Sequence, residues 1–194
     1  MDKRIVVSGI YKSYNGQQVL NDFSQVFSSG TINCVMGNSG IGKTTLMRIL
    51  MGLEKPDSGS VDSSGVRFSA VFQDNRLVEQ LTAVANVKMV LPKNVTTNMI
   101  EESIKEILPA ECLYKSVSEL SGGMKRRIAI VRAMLSKSDA VILDEPFTGL
   151  DVDTKKQVME YVKRHADGRI IILVTHDEMD VSYFNAVKCL LTTA

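Results

Sequence analysis

Apolar and polar side chains alternate through the first thirty residues, as a sheet with one buried face requires. Tyr14-Asn15-Gly16 interrupts the alternation with a turn signal, so the segment is expected to form antiparallel strands. Residues 31–36 (TINCVM) form a short strand that runs into glycines. Residues 44–51 (TTLMRILM) have helical spacing, with Gly52 placed to end the helix. Residues 56–65 are turn-rich, and 66–72 are a further strand. The pattern then changes. Thr82 is placed to cap a helix carrying Val84, Val87 and Leu91, which Pro92-Lys93-Asn94 breaks. Thr97 or Asn98 caps a second helix, with Ile100, Ile104, Ile107 and Leu108 on one face and Pro109 closing it. From Met124 onward the two periods alternate. Residues 124–135 and 154–164 are helical, and 140–143 and 170–174 (IIILV) are continuous apolar strands. Apolar strands between helices belong to a parallel sheet covered on both faces. The expected fold is α/β: a mostly parallel sheet, an antiparallel N-terminal part and an inserted small helical subdomain. The core would take 1–74 and 120–194, and the helical subdomain 75–119.

Composition changes this picture little. Of the 194 residues, 44% are apolar and 23% charged, as in an ordered globular domain. A net charge of +1 gives no bulk pull toward nucleic acid or anionic lipid, so no nucleic-acid partner is expected. Cys34, Cys112 and Cys189 are far apart and form no C-x-x-C pair; they read as packing residues of a reduced, cytoplasmic protein. The N-terminus, MDKRIVVSGIYK, has no secretory pattern, and no apolar run approaches the roughly twenty residues that cross a bilayer. Any membrane role would go through a partner.

The chemistry begins at residues 37–44, GNSGIGKT, which fit G-x-x-x-x-G-K-[ST] between a strand and a helix. Gly37, Gly40 and Gly42 let the backbone of Gly37, Asn38, Ser39, Gly40, Ile41 and Gly42 curl so that N–H groups face phosphates. Lys43 supplies a point charge to the β- and γ-phosphates. Thr44 offers a hydroxyl to Mg²⁺, with Thr45 beside it on a helix N-terminus whose dipole favours anions. These features are expected to form a P-loop NTPase core that takes a nucleotide with Mg²⁺. A second acidic element, AVILDE, delivers Asp144 to the end of a buried strand as a Mg²⁺ holder and Glu145 as the group that orients or deprotonates a water. The segment Ser121-Gly122-Gly123, ahead of the helical run, is a second helix start that could face a phosphate.

Together GNSGIGKTT, Gln73 in VFQD, LSGGM, VILDEP, TGLD and His176 in VTHD resemble, in order and spacing, the nucleotide-binding domain of ATP-binding cassette (ABC) transporters over nearly the whole chain. The resemblance gives the second loop a purpose. In that family two domains pack head to tail, and Ser121, Gly122 and Gly123 would cap the γ-phosphate held by the partner's phosphate loop. It also implies that Tyr14 stacks on adenine and that Gln73 touches Mg²⁺ and the attacking water. Asp151 would line the dimer interface and His176 would contact the γ-phosphate. Lys125, Arg126 and Arg127 oppose the dipole of their helix and read as a solvated basic face, and His165 reads as a surface residue. Met124 stands where glutamine is commoner in the family, as it often does in importers of the nitrate, sulfonate and taurine type. The stretch 59–71 looks short, as though a hairpin were trimmed. With eighteen residues after His176, the family's C-terminal helices are expected to be curtailed, and no appended regulatory domain is expected.

The implied function is the ATP-hydrolysing subunit of an ABC transporter. It would sit at the cytoplasmic face of the membrane, with a second ABC ATPase subunit and separate permease subunits as partners. A soluble ABC ATPase of iron–sulfur cluster assembly or translation is the alternative. An ordinary P-loop kinase has no use for Gln73, Asp151 and His176.

Overall fold

Asn15 and Gly16 both take left-handed backbone, with φ of 49° and 80°. A two-residue hairpin loop needs that geometry to match the twist of its strands. The loop joins β1 (Arg4–Tyr14) to β2 (Gln17–Ser28), with Tyr14 opposite Gln17. The computed structural model describes residues 3–191 and divides them into two units. The first holds the described residues as far as Phe68, with Ser138–Asp144 and those from Gly168 onward; the second holds Ser69–Lys137 and Glu145–Asp167.

In the first unit, β1 is the centre of a three-stranded sheet ordered β2-β1-β4, where β4 is Ser58–Asp62. This strand corrects the turn-rich reading of residues 56–65. Its sequence, SGSVD, is exposed but for a half-buried Val61, so no apolar alternation announces it. Pairing with β1, Val61 against Val7, makes it a strand. The unit's other sheet runs β6-β7-β3-β8, all parallel. Its strands are β3 (Ile32–Met36), β6 (Ala140–Asp144), β7 (Ile170–Val174) and β8 (Val187–Leu190). Every residue of β6 and β7 is buried, which is why both read as unbroken apolar runs. Helix α1 (Lys43–Leu50) follows β3 and buries Leu46, Met47, Ile49 and Leu50; Gly52, at φ 69°, ends it by donating its N–H to the Ile49 carbonyl at 3.0 Å. After His176 the chain still supplies α6 (Glu178–Phe184) and β8, so that stretch holds a sheet strand the sequence reading did not place.

Strand β5 (Phe68–Val71) spans the boundary and leads into the second unit. There α2 (Ala83–Lys88) is capped by Thr82, whose side chain accepts from the Ala85 N–H. It stops at Lys88, short of the expected Leu91. The next helix, α3 (Thr97–Lys105), is capped by Thr96 rather than Thr97 or Asn98. Thr96 has the extended backbone that aims its hydroxyl at the Met99 N–H, whereas Thr97 already lies within the helix. Ile100, Ile104 and Ile107 are fully buried, as their spacing predicts. Asn86, also fully buried, accepts from the Val78 N–H at 2.8 Å and donates to the Val78 and Thr82 carbonyls at 3.0 and 3.1 Å. One side chain thereby satisfies the loop that precedes α2. The unit is completed by α4 (Gly122–Leu135) and α5 (Val152–Arg164).

Gly59 has φ 83°, and a Cβ there would lie 2.2 Å from the Gly9 carbonyl oxygen; at Gly52 a Cβ would meet nothing within 4 Å. Gly59→Ala is therefore expected to cost more than about 3 kcal/mol, strain plus clash. Gly52→Ala should cost only about 1–2 kcal/mol of left-handed strain. Urea unfolding of the two variants measures the difference, and equal midpoints would contradict the close β1–β4 packing.

Candidate functional site

The first unit gathers its candidates at the carboxyl ends of neighbouring parallel strands, where open α/β sheets bind ligands. Val174 lies opposite both Val35 and Asp144. The phosphate loop starts two residues beyond Val35 and His176 lies two beyond Val174, so all three segments leave one edge of the sheet. Gly42 caps α1 with φ 111°, and a Cβ on it would be 2.5 Å from Val19 Cγ1 and 2.8 Å from the Val19 carbonyl. Only glycine lets the loop lie this close to β2. Lys43 Nζ donates to the Gly37 and Asn38 carbonyls at 2.7 and 2.9 Å, so the loop curls around its own ammonium group. Thr44 Oγ1 donates to Asp144 Oδ2 at 3.4 Å, and Asp144 is 6% exposed. His176 is exposed, on the turn after β7. A buried hydrogen bond from Thr175 Oγ1 to Asp180 Oδ2 at 2.6 Å spans His176 and pins that turn.

Tyr14 ends β1, the residue 42% exposed and its hydroxyl donated to Glu54 Oε1. Burial pushes its phenol pKa up, the Glu54 hydrogen bond pushes the same way, and Thr45 opposes them. The phenol is therefore a protonated donor at neutral pH. The cysteines are buried and free, and burial pushes the Cys34 thiol up to about 12 and Cys189 to about 11, which leaves both inert.

In the second unit, Ser121 caps α4, its hydroxyl accepting from the Met124 N–H at 3.3 Å. Ser121 and Gly122 are exposed at this helix start, and a Cβ on Gly123 would meet Leu150 Cδ2 at 3.3 Å. The three cations that follow are not a solvated basic face. Lys125 pairs with Glu79 at 2.9 Å. Arg126 donates to the Phe72 and Gln73 carbonyls, both at 2.6 Å. Arg127 donates to the Ile107 carbonyl at 2.6 Å. Arg132, further along α4, takes the Arg76 and Asn75 carbonyls at 2.8 and 3.0 Å. Two arginines of one helix thus grip the loop after β5 by charge-assisted hydrogen bonds, while Gln73 itself stays exposed. The sequence reading took Arg126 as part of a helix face; its carbonyl partners, more than fifty residues away, carry no side-chain signal.

Glu145 stands at φ 49°, a left-handed backbone that a non-glycine residue rarely adopts. Its carboxylate accepts from Thr148 Oγ1 at 3.1 Å. Asp151 caps α5, accepting from the Thr154 N–H at 3.0 Å, and that hydrogen bond holds its carboxyl below the ordinary carboxylate range. His165 is not a plain surface residue. It is half-buried, 3.0 Å from Glu106 and stacked at 4.3 Å on Tyr161, whose hydroxyl shares a buried 2.7 Å bond with Ser103.

Residues 20–148 match the family described as ABC transporter, a span that holds the phosphate loop, Gln73, the Ser121 helix start, Asp144 and Glu145. The chain belongs to the ABC transporter family. As a member it is an ATPase. An aliphatic sulfonates import ATP-binding protein of Rhizobium johnstonii is 34% identical over 186 residues, covering 89% of this chain and 68% of that protein. A spermidine/putrescine import ATP-binding protein of Haemophilus influenzae is 32% identical over 191 residues, covering 90% of this chain and 51% of that protein. This ABC ATPase therefore spans about half the length of the second relative. Among solved structures, a dimeric post-hydrolysis state of an ATP-binding cassette bound to ADP and Pi superposes with a TM-score of 0.85 at 23% identity, covering 97% of this chain and 94% of that one. That likeness establishes the shared fold.

The donor set of this ABC ATPase fits Mg²⁺. A hydroxyl and a buried carboxylate are hard oxygen ligands set close together. Among the described residues no group of three or more His, Cys, Asp or Glu could hold a metal. An ion that takes one or two protein oxygens and fills its shell with phosphate and water suits such a pair. Among the described residues no helix is long and apolar enough to cross a membrane.

Asp151→Ala should lower the urea midpoint at pH 7 by removing the α5 cap. Because the folded carboxyl is held below its ordinary value of about 3.9, its contribution is complete above that value and is lost as pH falls through the folded one. The gap between wild type and variant should shrink on acidification, and a gap that widened would contradict the cap.

Proposed function

We propose that this ABC ATPase is the ATP-hydrolysing subunit of an importer, and that it works as a head-to-tail pair with a second such subunit beneath separate permease subunits. It acts at the cytoplasmic face of the membrane, held there by the permease. The observation that carries the reading is the phosphate loop closed around Lys43 Nζ, with Thr44 and Asp144 paired at the same sheet edge. An ammonium group that bonds its own loop carbonyls can exchange them for phosphate oxygens, and the glycine-rich backbone then supplies N–H donors.

Family membership supports the residue roles proposed here. Lys43 binds the β- and γ-phosphates within the backbone of Gly37, Asn38, Ser39, Gly40, Ile41 and Gly42. Thr44 and Asp144, with Gln73, would hold Mg²⁺, which when bound neutralises phosphate charge. Glu145 accepts a proton from the attacking water as the water adds to the γ-phosphorus and ADP departs. The left-handed backbone at Glu145 costs on the order of 1–3 kcal/mol, and such strain persists where a side chain must be aimed. His176 touches the γ-phosphate. Ser121, Gly122 and Gly123 cap the γ-phosphate bound by the partner subunit, with the helix N-terminus behind them. Asp151 orders the turn that meets the partner, and Tyr14 stacks on adenine. The curated relatives are named for cargoes as different as aliphatic sulfonates and spermidine or putrescine at 34% and 32% identity. Cargo choice accordingly rests with the permease side of the assembly.

Glu145→Gln keeps the side-chain shape and the Thr148 contact but removes the base. ATP binding should persist while hydrolysis falls about 10²- to 10⁴-fold, and a closed dimer should accumulate on size exclusion with ATP. Normal turnover in this variant would refute the assigned role. Mixed dimers of Ser121→Arg and Lys43→Ala subunits test the shared sites. Each mixed dimer should keep at most one intact site, and if both variants hydrolyse ATP alone as wild type does, the sites are not shared.

A further inference from the structure

Glu54 is a carboxylate that the catalytic reading does not use, yet three groups of the first unit converge on it. Its Oε1 accepts the Tyr14 hydroxyl and lies 3.6 Å from Lys12 Nζ, while its Oε2 lies 3.5 Å from Arg48 Nε. Its side chain is only 17% exposed. Arg48 belongs to the last turn of α1, the helix whose first turn carries Lys43 and Thr44. Glu54 is thus tied at one oxygen to the aromatic ring and at the other to the phosphate-loop helix.

Lys12 holds the ring from a second direction. Its ammonium lies 5.4 Å from the Tyr14 ring centroid and is fixed by Asp57 Oδ1 at 2.9 Å and the Lys55 carbonyl at 3.0 Å. A cation at that distance is attracted to the face of an aromatic ring. Asp57 also accepts the Ser13 N–H at 2.7 Å, so the backbone beside Tyr14 is held by the same carboxylate that holds Lys12. The residue is still 42% exposed. A half-exposed tyrosine without such partners would sample several rotamers, and stacking on a base would have to freeze them.

We propose that Glu54 is a positioning residue for the nucleotide base: braced by Lys12 and Arg48, it fixes the Tyr14 ring in advance at a set distance from the phosphate loop. This rests on the reading of Tyr14 as the adenine-stacking residue. Preorganisation of this kind raises affinity by removing an ordering cost rather than by adding a contact. Its effect belongs to the base end of the ligand only.

The test compares ATP with inorganic tripolyphosphate, which lacks a base, by calorimetric titration of the full chain. Tyr14→Phe keeps the ring and removes the hydroxyl; Glu54→Ala removes the acceptor. Each should weaken ATP binding about fivefold, and the double variant should be no weaker than either single one. Tripolyphosphate affinity should not change. Glu54→Gln, which keeps an acceptor oxygen for the phenol, should recover most of the loss. Additive losses, an equal loss for tripolyphosphate, or no loss in Tyr14→Phe would overturn the proposal. Tyr14→Ala separates it from the reading beneath it. If Tyr14→Ala binds ATP as wild type does, the stacking role itself fails. If Tyr14→Ala is weakened while Glu54→Ala and Tyr14→Phe are not, only the positioning role fails.

Discussion

Backbone hydrogen bonding between β6, β7 and β3 sets the row in which Asp144, Val174 and Val35 lie side by side. The phosphate chemistry depends on that row. In a parallel ladder a shift of one residue would turn each side chain to the other face. Asp144 would then leave the Thr44 hydroxyl, and the phosphate loop and the His176 turn would leave the sheet at different levels. The register is held by burial. Every residue of β6 and β7 is buried, so no slipped pairing leaves these apolar side chains better covered. The loop adds a local constraint of its own, since Gly42 touches β2 through a space that no side chain could share.

Charge plays a different part in the second unit. The start of α4 presents Ser121 and Gly122 to solvent, where the helix dipole favours an anion. Cations in the following turn would compete for that anion were they not engaged elsewhere. Lys125 is neutralised by Glu79, and Arg126 and Arg127 are spent on carbonyls. The Arg126 bonds, with those of Arg132, fix the loop carrying Gln73 to the helix carrying Ser121. Displacement of one therefore pulls on the other within this unit.

Much of the fold was legible in the sequence because local chemistry overdetermines it. Asn15-Gly16 encodes its turn, the apolar runs of β6 and β7 encode burial on both faces, and the Ile100-Ile104-Ile107 stripe encodes the covered side of α3. The glycine-rich turn around Lys43, the strand end at Asp144 and the helix start at Ser121 were legible for the same reason, since each is written in residue types at fixed spacing. Elements defined by a partner strand or a distant carbonyl were not. Strand β4 has no apolar pattern and exists by pairing with β1. The cap of α3 fell on Thr96 rather than on Thr97 or Asn98, by backbone conformation.

The sequence by itself determined where the glycines, lysine and hydroxyls fall between strand and helix and which strands must be buried, because those properties reside in single side chains and short periods. Only the tertiary structure decided how the supporting groups are spent. Arg126 on a backbone carbonyl, His165 between Glu106 and Tyr161, and Glu54 between Tyr14 and Arg48 are pairings across tens of residues or across a turn. A hydrogen bond or ion pair has no preference for sequence distance, only for position and angle in space. The chain specifies the donors and acceptors, and the packing of sheet and helices selects their partners.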